Sequence, residues 1–283
     1  MTYKLKGTTF TVMTFRIKDQ LHRTIQLKHT PKRIVSLVPS QTELLFDLGL
    51  KDSVVGVTKF CVHPKGIKKE VQVVGGTKQI HLDKIKALNP DIILCNKEEN
   101  TKAIVKTCKL ICPVHVSDIF TIHDSLELIE QYGEIFNKGT AAKHLVEGIR
   151  NEARDFKSFI KDHISLNTVY FIWKKPWMVA ANDTFINHLL QLNKFKNAFE
   201  IKDRYPEITL NRATINENVD LVLLSSEPYP FKDEHRKEIQ KYYPKAKVLL
   251  VDGEMFSWYG SRLLKAFKYF KNLRLGLEKN PVY

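Results

Sequence analysis

Cys61-Val-His63 places a thiol and an imidazole two residues apart, in a segment that Pro64 stops from continuing as regular structure. Such a pair can give soft ligands to a metal, or one axial ligand to a metal held in a macrocycle. No carboxylate or histidine cluster stands near it in sequence, so a histidine simply packed in a turn is the equal alternative. Cys108 and Cys112 lack the spacing of a zinc pair, and His81, His115, His123 and His188 are not at metal-binding intervals along the chain. Aromatic residues form the second concentration: Trp173 and Trp177 around Lys174-Lys175-Pro176, then Arg204, Tyr205 and Glu207, then Phe256, Trp258, Tyr259 and Arg262. Broad, stiff rings of this kind suit a large, flat or greasy molecule better than a small polar one.

Signatures of catalysis are missing. There is no G-x-S-x-G, no Gly-rich phosphate loop and no H-E-x-x-H; Gly75-Gly76-Thr77-Lys78 lacks the spacing of a phosphate loop. The reading is a protein that binds and does not catalyse.

The elements that must position these residues follow from apolar patterning. Thr140 to Ile164 carries Ala142, Val146, Ile149, Ala153, Phe156 and Ile160 at three- and four-residue steps, which predicts one long amphipathic helix. Matching segments lie on either side of it. Arg33 to Pro39 pairs with Thr168 to Trp173, Leu88-Asn-Pro-Asp91 with Glu217-Asn-Val-Asp220, and Cys112 to Ser117 with Ala246 to Asp252, in the same order. Repeated segments in one order predict a duplicated plan. The expected organisation is an N-terminal hairpin plus a first α/β lobe over 1–139, a rigid linking helix over 140–164, and a second α/β lobe over 165–283. Brief Val/Ile-rich runs separated by helices predict a parallel sheet in each lobe.

Within the first lobe, residues 9–28 predict a hairpin turned at Lys18-Asp19-Gln20. Ser40 with Glu43 three residues on predicts a capping box, and Gly49 a helix stop. Within the second, a short helix is expected from about Asn211, Trp258 and Tyr259 are expected in a loop facing the ligand, and the tail from Gly276 is expected to fray. Ligands of parallel α/β sheets settle outside the carboxyl ends of the strands. That edge should carry Ser40, Phe60, Cys61, His63, Thr77 and Asn96 in one lobe and the aromatic segments in the other, across a shared cleft.

Composition bounds the partners. The net charge is +14, yet the lysines are spread thinly and no nucleic-acid signature accompanies them, so the charge reads as a solvated basic surface. No apolar run reaches the length of a membrane span, and no insertion into a membrane is expected. Met1 to Gln20 alternates apolar and polar residues and does not read as a signal peptide. A monomeric cytoplasmic protein is expected on that ground, a periplasmic one if the start is assigned wrongly or export is unconventional.

Three stretches carry a resemblance. Arg33-Ile-Val-Ser-Leu-Val-Pro-Ser-Gln-Thr-Glu-Leu-Leu-Phe-Asp-Leu-Gly49, Val55-Gly-Val57, and Leu82-Asp-Lys-Ile-Lys-Ala-Leu-Asn-Pro-Asp-Ile-Ile-Leu94 resemble the helical-backbone (class III) substrate-binding proteins of ABC importers, the vitamin B12 binders most of all. The resemblance covers roughly residues 20–273. It implies two lobes joined by a long helix, no catalytic cofactor, and a corrinoid, siderophore or haem as ligand. It places ligand loops on Phe60 to His63, Thr77, Asn96, Trp173 to Trp177, Arg204 to Pro206 and Glu254 to Arg262, with His63 an axial candidate. It also implies permease docking through acidic residues: Asp83 fits the first position, whereas Asn211 stands at the second with Glu207 and Glu217 nearby. A cytoplasmic enzyme or carrier handling a corrinoid or tetrapyrrole is the alternative.

Overall fold

The computed structural model describes residues 15–211 and 218–279. The chain folds into two compact units. The first holds the residues up to Asp118 together with Gln131–Gly139, the second Ile119–Glu130 together with Thr140 onward.

The first unit opens with an antiparallel pair, β1 (Phe15–Lys18) and β2 (Thr24–Leu27), with Phe15 opposite Leu27. Its turn runs from Asp19 to Arg23, slightly beyond the expected one; residues 9–14 of the expected hairpin lie outside the described residues. Then follow β3 (Ile34–Ser36), α1 (Pro39–Asp47), β4 (Val54–Val57), α2 (Ile67–Glu70), β5 (Gln72–Val73), α3 (Leu82–Ala87), β6 (Ile92–Asn96), α4 (Lys102–Cys108) and β7 (Val114–Ser117). The strands pair in parallel in the order β5-β4-β3-β6-β7. The strands β3, β6 and β7 are short and buried on both faces, as parallel strands covered by helices must be, while β5 at the edge is partly open. Val35, Leu37, Ile93, Cys95, Val114 and Val116 pack against Ile85, Ile104 and Cys108.

Helix α1 corrects one expectation. It begins at Pro39 with Val38 as its N-cap and no side-chain cap, so Ser40 lies inside the first turn and forms no capping box. Pro39 sets the helical φ and has no N–H to satisfy, which starts the helix one residue before the serine. Gly49 ends the helix at φ 74°, as its position predicts.

Two helices follow, α5 (Ile122–Ile135) and α6 (Gly139–Ile160). The sequence marks α6 as the long helix. It lies within the second unit, where Phe156 packs on Phe267 and Phe270 at 5.7 and 6.0 Å between ring centres. The chain changes unit inside α5, after Glu130. In the first unit Gln131 meets His115 at 2.9 Å and Tyr132 donates to Gln41 Oε1 at 2.7 Å; in the second, Ser125 Oγ accepts from Gly260 N at 2.8 Å.

The second unit continues with β8 (Leu166–Trp173), β9 (Trp177–Val179), α7 (Phe185–Leu192), β10 (Phe195–Asn197), β11 (Glu207–Ile208), β12 (Leu221–Ser225), α8 (Asp233–Gln240), β13 (Lys247–Val251), α9 (Gly253–Ser257) and α10 (Leu263–Lys279). The sheet order is β11-β9-β8-β12-β13, with β10 also on β8. This sheet is mixed, not wholly parallel, because the Lys174-Lys175-Pro176 turn brings β9 back antiparallel to β8. Helix α10 does not stop at Gly276. Leu277 is buried and Arg274 donates to the Ile164 carbonyl at 2.7 Å, so the last turns are anchored through Lys279. The helix expected from Asn211 falls on 212–217, outside the described residues. The α/β class with two repeated lobes is present: β3-β6-β7 in one sheet corresponds to β8-β12-β13 in the other.

Candidate ligand-binding site

At the carboxyl edge of the first sheet, the turn after β4 divides the residues that sequence places together. Cys61 is fully buried, its Sγ 3.2 Å from Thr42 Oγ1 and 3.3 Å from Thr58 Oγ1, and burial pushes its thiol pKa up. It therefore sits in the core, where a neutral thiol is inert. Phe60, on the other hand, is 50% exposed, with the Lys59 ammonium 5.0 Å above its ring. Its ring lies against the Gly76 backbone, where a Cβ would come within 3.2 Å of it. His63 is half-buried in the same turn.

Asn96 ends β6 and is consumed by local structure. Its Oδ1 accepts from the Glu98 and Glu99 amides at 2.8 and 3.1 Å, and its Nδ2 donates to Ser117 Oγ at 3.0 Å. The side chain shapes the loop and has little left for a ligand. Thr77 is half-buried and its carbonyl accepts from Asn100 at 2.9 Å. Ser40 is buried, and its Oγ has no hydrogen-bond partner among the described residues. Asp83 is fully exposed on α3.

In the second unit the aromatic residues divide likewise. Trp173, at the carboxyl end of β8, is 38% exposed and stands edge-on to Tyr229 at 5.6 Å. The Tyr229 hydroxyl lies 3.2 Å from His235 Nε2, which fixes the ring that supports Trp173. Trp177 is half-buried, stacked on Phe231 at 6.1 Å with Lys174 Nζ 5.2 Å from its ring centre. Arg204, in a left-handed conformation, lies over Tyr205 at 5.9 Å, and both are half-buried; Glu207 is exposed on β11.

The segment after β13 corrects the expected exposed loop. Residues 253–257 are helical and Phe256 is fully buried against Tyr170 and Phe270 at 5.2 and 4.8 Å. Trp258 is only 6% exposed, and Tyr259, buried as well, meets Phe185 edge-on at 6.1 Å. Apolar rings beside a helix start gain more by burial than by standing in solvent. Arg262 is buried too, its guanidinium 5.0 Å from the Trp258 ring centre and 3.2 Å from Glu254.

Two groupings escaped the sequence reading. Glu227, two residues past β12, accepts at Oε1 from Ser257 Oγ at 2.7 Å and from Trp258 Nε1 at 2.8 Å, and burial raises its pKa. Its partners come from thirty residues away, so only the Glu-Pro pair after an apolar run hinted at it. His123, Asp124 and Glu127 bring ligand-type atoms within 4.8 Å of one another on one turn of α5. Spacing counted over histidines and cysteines alone overlooks a set completed by carboxylates.

Two α/β units, each with aromatic side chains at the carboxyl edge of its sheet, define a binding protein of the bilobed class. A family model described as "Periplasmic binding protein" matches residues 34–248, and the chain belongs to that family, the non-catalytic class III substrate-binding proteins of ABC importers. A substrate-binding lipoprotein of an ABC transporter in Bacillus subtilis is 28% identical over 215 residues, 73% of this chain and 68% of that protein. The petrobactin-binding protein of Bacillus subtilis shares the fold with a TM-score of 0.77 at 18% identity, over 94% of this chain and 99% of that one. The periplasmic vitamin B12-binding protein of Vibrio cholerae does so with a TM-score of 0.76 at 18% identity, over 89% and 99%. No described helix is long and apolar enough to cross a membrane. Relatives named periplasmic or lipoprotein stand against the cytoplasmic expectation drawn from the first twenty residues.

Proposed function

We propose that this chain captures a metal chelate, a corrinoid foremost, on behalf of an ABC importer, outside the cytoplasmic membrane. The observation that carries the reading is Trp173: a large ring left over a third exposed at a strand's carboxyl end, yet held in one orientation by Tyr229 and, through it, His235. A ring fixed in one orientation at a strand's carboxyl end and partly open to solvent is what a pre-organised ligand contact requires. Phe60 does the same in the first unit. Trp177, Arg204 and Tyr205 flank the first contact, and His63 is offered as the axial or hydrogen-bonding group for the cargo's metal. The relatives named for vitamin B12 and for petrobactin support a chelate of this size. Asp83 and Glu207, both exposed, are the acidic residues offered to a permease.

Visible absorbance and mass spectrometry of protein purified from its native host test the reading, followed by titration with cyanocobalamin, haemin and a ferric siderophore. A co-purifying or titrated corrinoid is the expected result. Binding of haem or siderophore alone would replace the corrinoid, and failure of all three would overturn the proposal.

A further inference from the structure

Glu227 is held from several sides. Both of its described side-chain donors, Ser257 Oγ and Trp258 Nε1, converge on Oε1, so among the described residues Oε2 receives no hydrogen bond. Its backbone is fixed as well: Ser225 Oγ bonds the Glu227 carbonyl and accepts from the Glu227 amide. The approach of α9 is close enough to demand glycine, since a Cβ on Gly253 would lie 2.7 Å from Glu227 Cγ and 2.3 Å from Ser225 Oγ. A carboxyl group this constrained, at the carboxyl end of β12 and two residues from the Tyr229 that supports Trp173, is pre-organised to act on a ligand.

The charges around it settle which ligand groups it suits. Asp252 and Glu254, at the start of α9, both act on Glu227 as like charges. Arg262 is paired with Glu254 at 3.2 Å and lies over Trp258, and no cation is among the described groups that act on Glu227. Tyr170, which acts on Glu227 as well, is pushed up by burial and stays a neutral donor to Ser225 Oγ, while Tyr269, also pushed up by burial, accepts from the Asp252 amide at 3.0 Å. The local field is therefore acidic, against the +14 of the whole chain. A ligand carboxylate placed beside Oε2 would be repelled, whereas an amide N–H or hydroxyl would be accepted.

We infer that Glu227 is a specificity residue whose Oε2 accepts a hydrogen bond from an amide or hydroxyl donor on the ligand's rim and rejects carboxylate-fringed ligands. The inference rests on the corrinoid reading and narrows it: a corrin ring edged by primary amides fits, and the same ring edged by carboxylates does not.

Dicyanocobinamide, which carries amides, and dicyanocobyrinic acid, which carries carboxylates at those positions, make the matched probes, titrated at pH 7.5 into the full chain. Wild type is expected to prefer the amide form by about tenfold or more, since the acid form brings Oε2 a like charge in place of a donor. Glu227→Gln, isosteric and uncharged, should narrow the preference to about threefold or less, while Glu254→Gln should retain more of it. Should Glu227→Gln fail to fold, Glu227→Asp, which withdraws the carboxylate, is expected to lower the preference in its place. If neither probe binds, the corrinoid reading falls and this inference with it. Binding of both with a ratio that neither Glu227 variant changes overturns this inference alone.

Discussion

Asp220 and Asn167 exchange two hydrogen bonds: the Asp220 amide donates to the Asn167 carbonyl at 2.9 Å, and the Asn167 amide donates to Asp220 Oδ2 at 2.7 Å. Asp91 and Arg33 do the same in the other unit at 2.8 and 2.9 Å. Each aspartate thus locks the start of its own strand to the start of the central one. Asp220→Ala leaves the partly buried Asn167 N–H unsatisfied and should cost about 1–3 kcal/mol in urea unfolding. Asp91→Ala acts at an exposed site, where water replaces the carboxylate, and should cost about 1 kcal/mol or less. Equal losses would mean that the two positions are not distinguished by solvent.

The repeat that this pair serves is legible in the sequence because it is local. Asn-Pro-Asp91 and Asn-Val-Asp220 each precede an apolar run of full burial, and β3, β4, β6, β12 and β13 lie where continuous Val, Ile and Leu put them. What is not legible is which side chains face the ligand. Cys61 and His63 are two residues apart, yet one is buried beneath Thr42 and Thr58 and the other is half in solvent. Trp258 looks exposed in a segment bounded by Ser257 and Gly260, but Glu227 accepts its N–H from thirty-one residues away. Long-range partners decide these fates, and no periodicity encodes them.

The same division gives opposite expectations for two aromatic residues. Trp173→Ala removes a solvent-facing ring and should weaken ligand binding by about 10- to 100-fold, in the range of a binding hot spot, with little change in melting temperature. Phe256→Ala empties a site fully buried against Tyr170 and Phe270 and should cost about 3–5 kcal/mol of stability. Titration and thermal melts of both variants check this; a stability loss in Trp173→Ala equal to that in Phe256→Ala would place Trp173 in the core.

Two glycines offer a further contrast. A methyl group at Gly253 meets Ser225 Oγ, Glu227 Cγ and the Glu227 amide within 2.9 Å, so Gly253→Ala must displace the strand end and is expected to destabilise by about 1–3 kcal/mol. At Gly139, the first residue of α6, nothing lies within 4 Å. Gly139→Ala should stabilise by about 0.4–1 kcal/mol by restricting the unfolded chain. Chemical denaturation of the pair reads out both signs.

Among the described residues, edge strand β7 is closed by side chains and not by another strand. Asp19, its side chain fully buried, accepts from the Val116 amide at 3.1 Å as well as from Leu21 and Arg23, while Arg23 donates to the Val114 carbonyl at 3.2 Å. Such closure prevents an open ladder from pairing with a second chain. Asp19→Ala strands a buried amide and leaves Arg23 without its carboxylate, at an expected cost of about 3–5 kcal/mol. The variant should also show increased association in light scattering under native conditions, and a monodisperse, fully stable variant would refute the closure.

On the same strand, His115 is buried against Tyr132 with Nε2 bonded to Gln131 and, among the described residues, no partner for Nδ1. Burial holds its pKa below 6.5, while Gln131 and Asp19 oppose that shift and Arg23 adds to it. The folded state therefore binds fewer protons than the unfolded state between the lowered value and 6.5, and stability rises with pH across that window. As pH falls below about 6.5 the unfolded chain takes up a proton that the folded chain refuses, and the loss levels off once pH passes the folded value. His115→Asn removes this group from the balance. Urea unfolding at pH 7.5 and at pH 5.0 should show a smaller drop for the variant than for wild type; His188, also lowered by burial, contributes equally to both proteins and cancels in the comparison. An identical drop in the two proteins would mean that His115 takes up its proton as readily in the fold as in the unfolded chain.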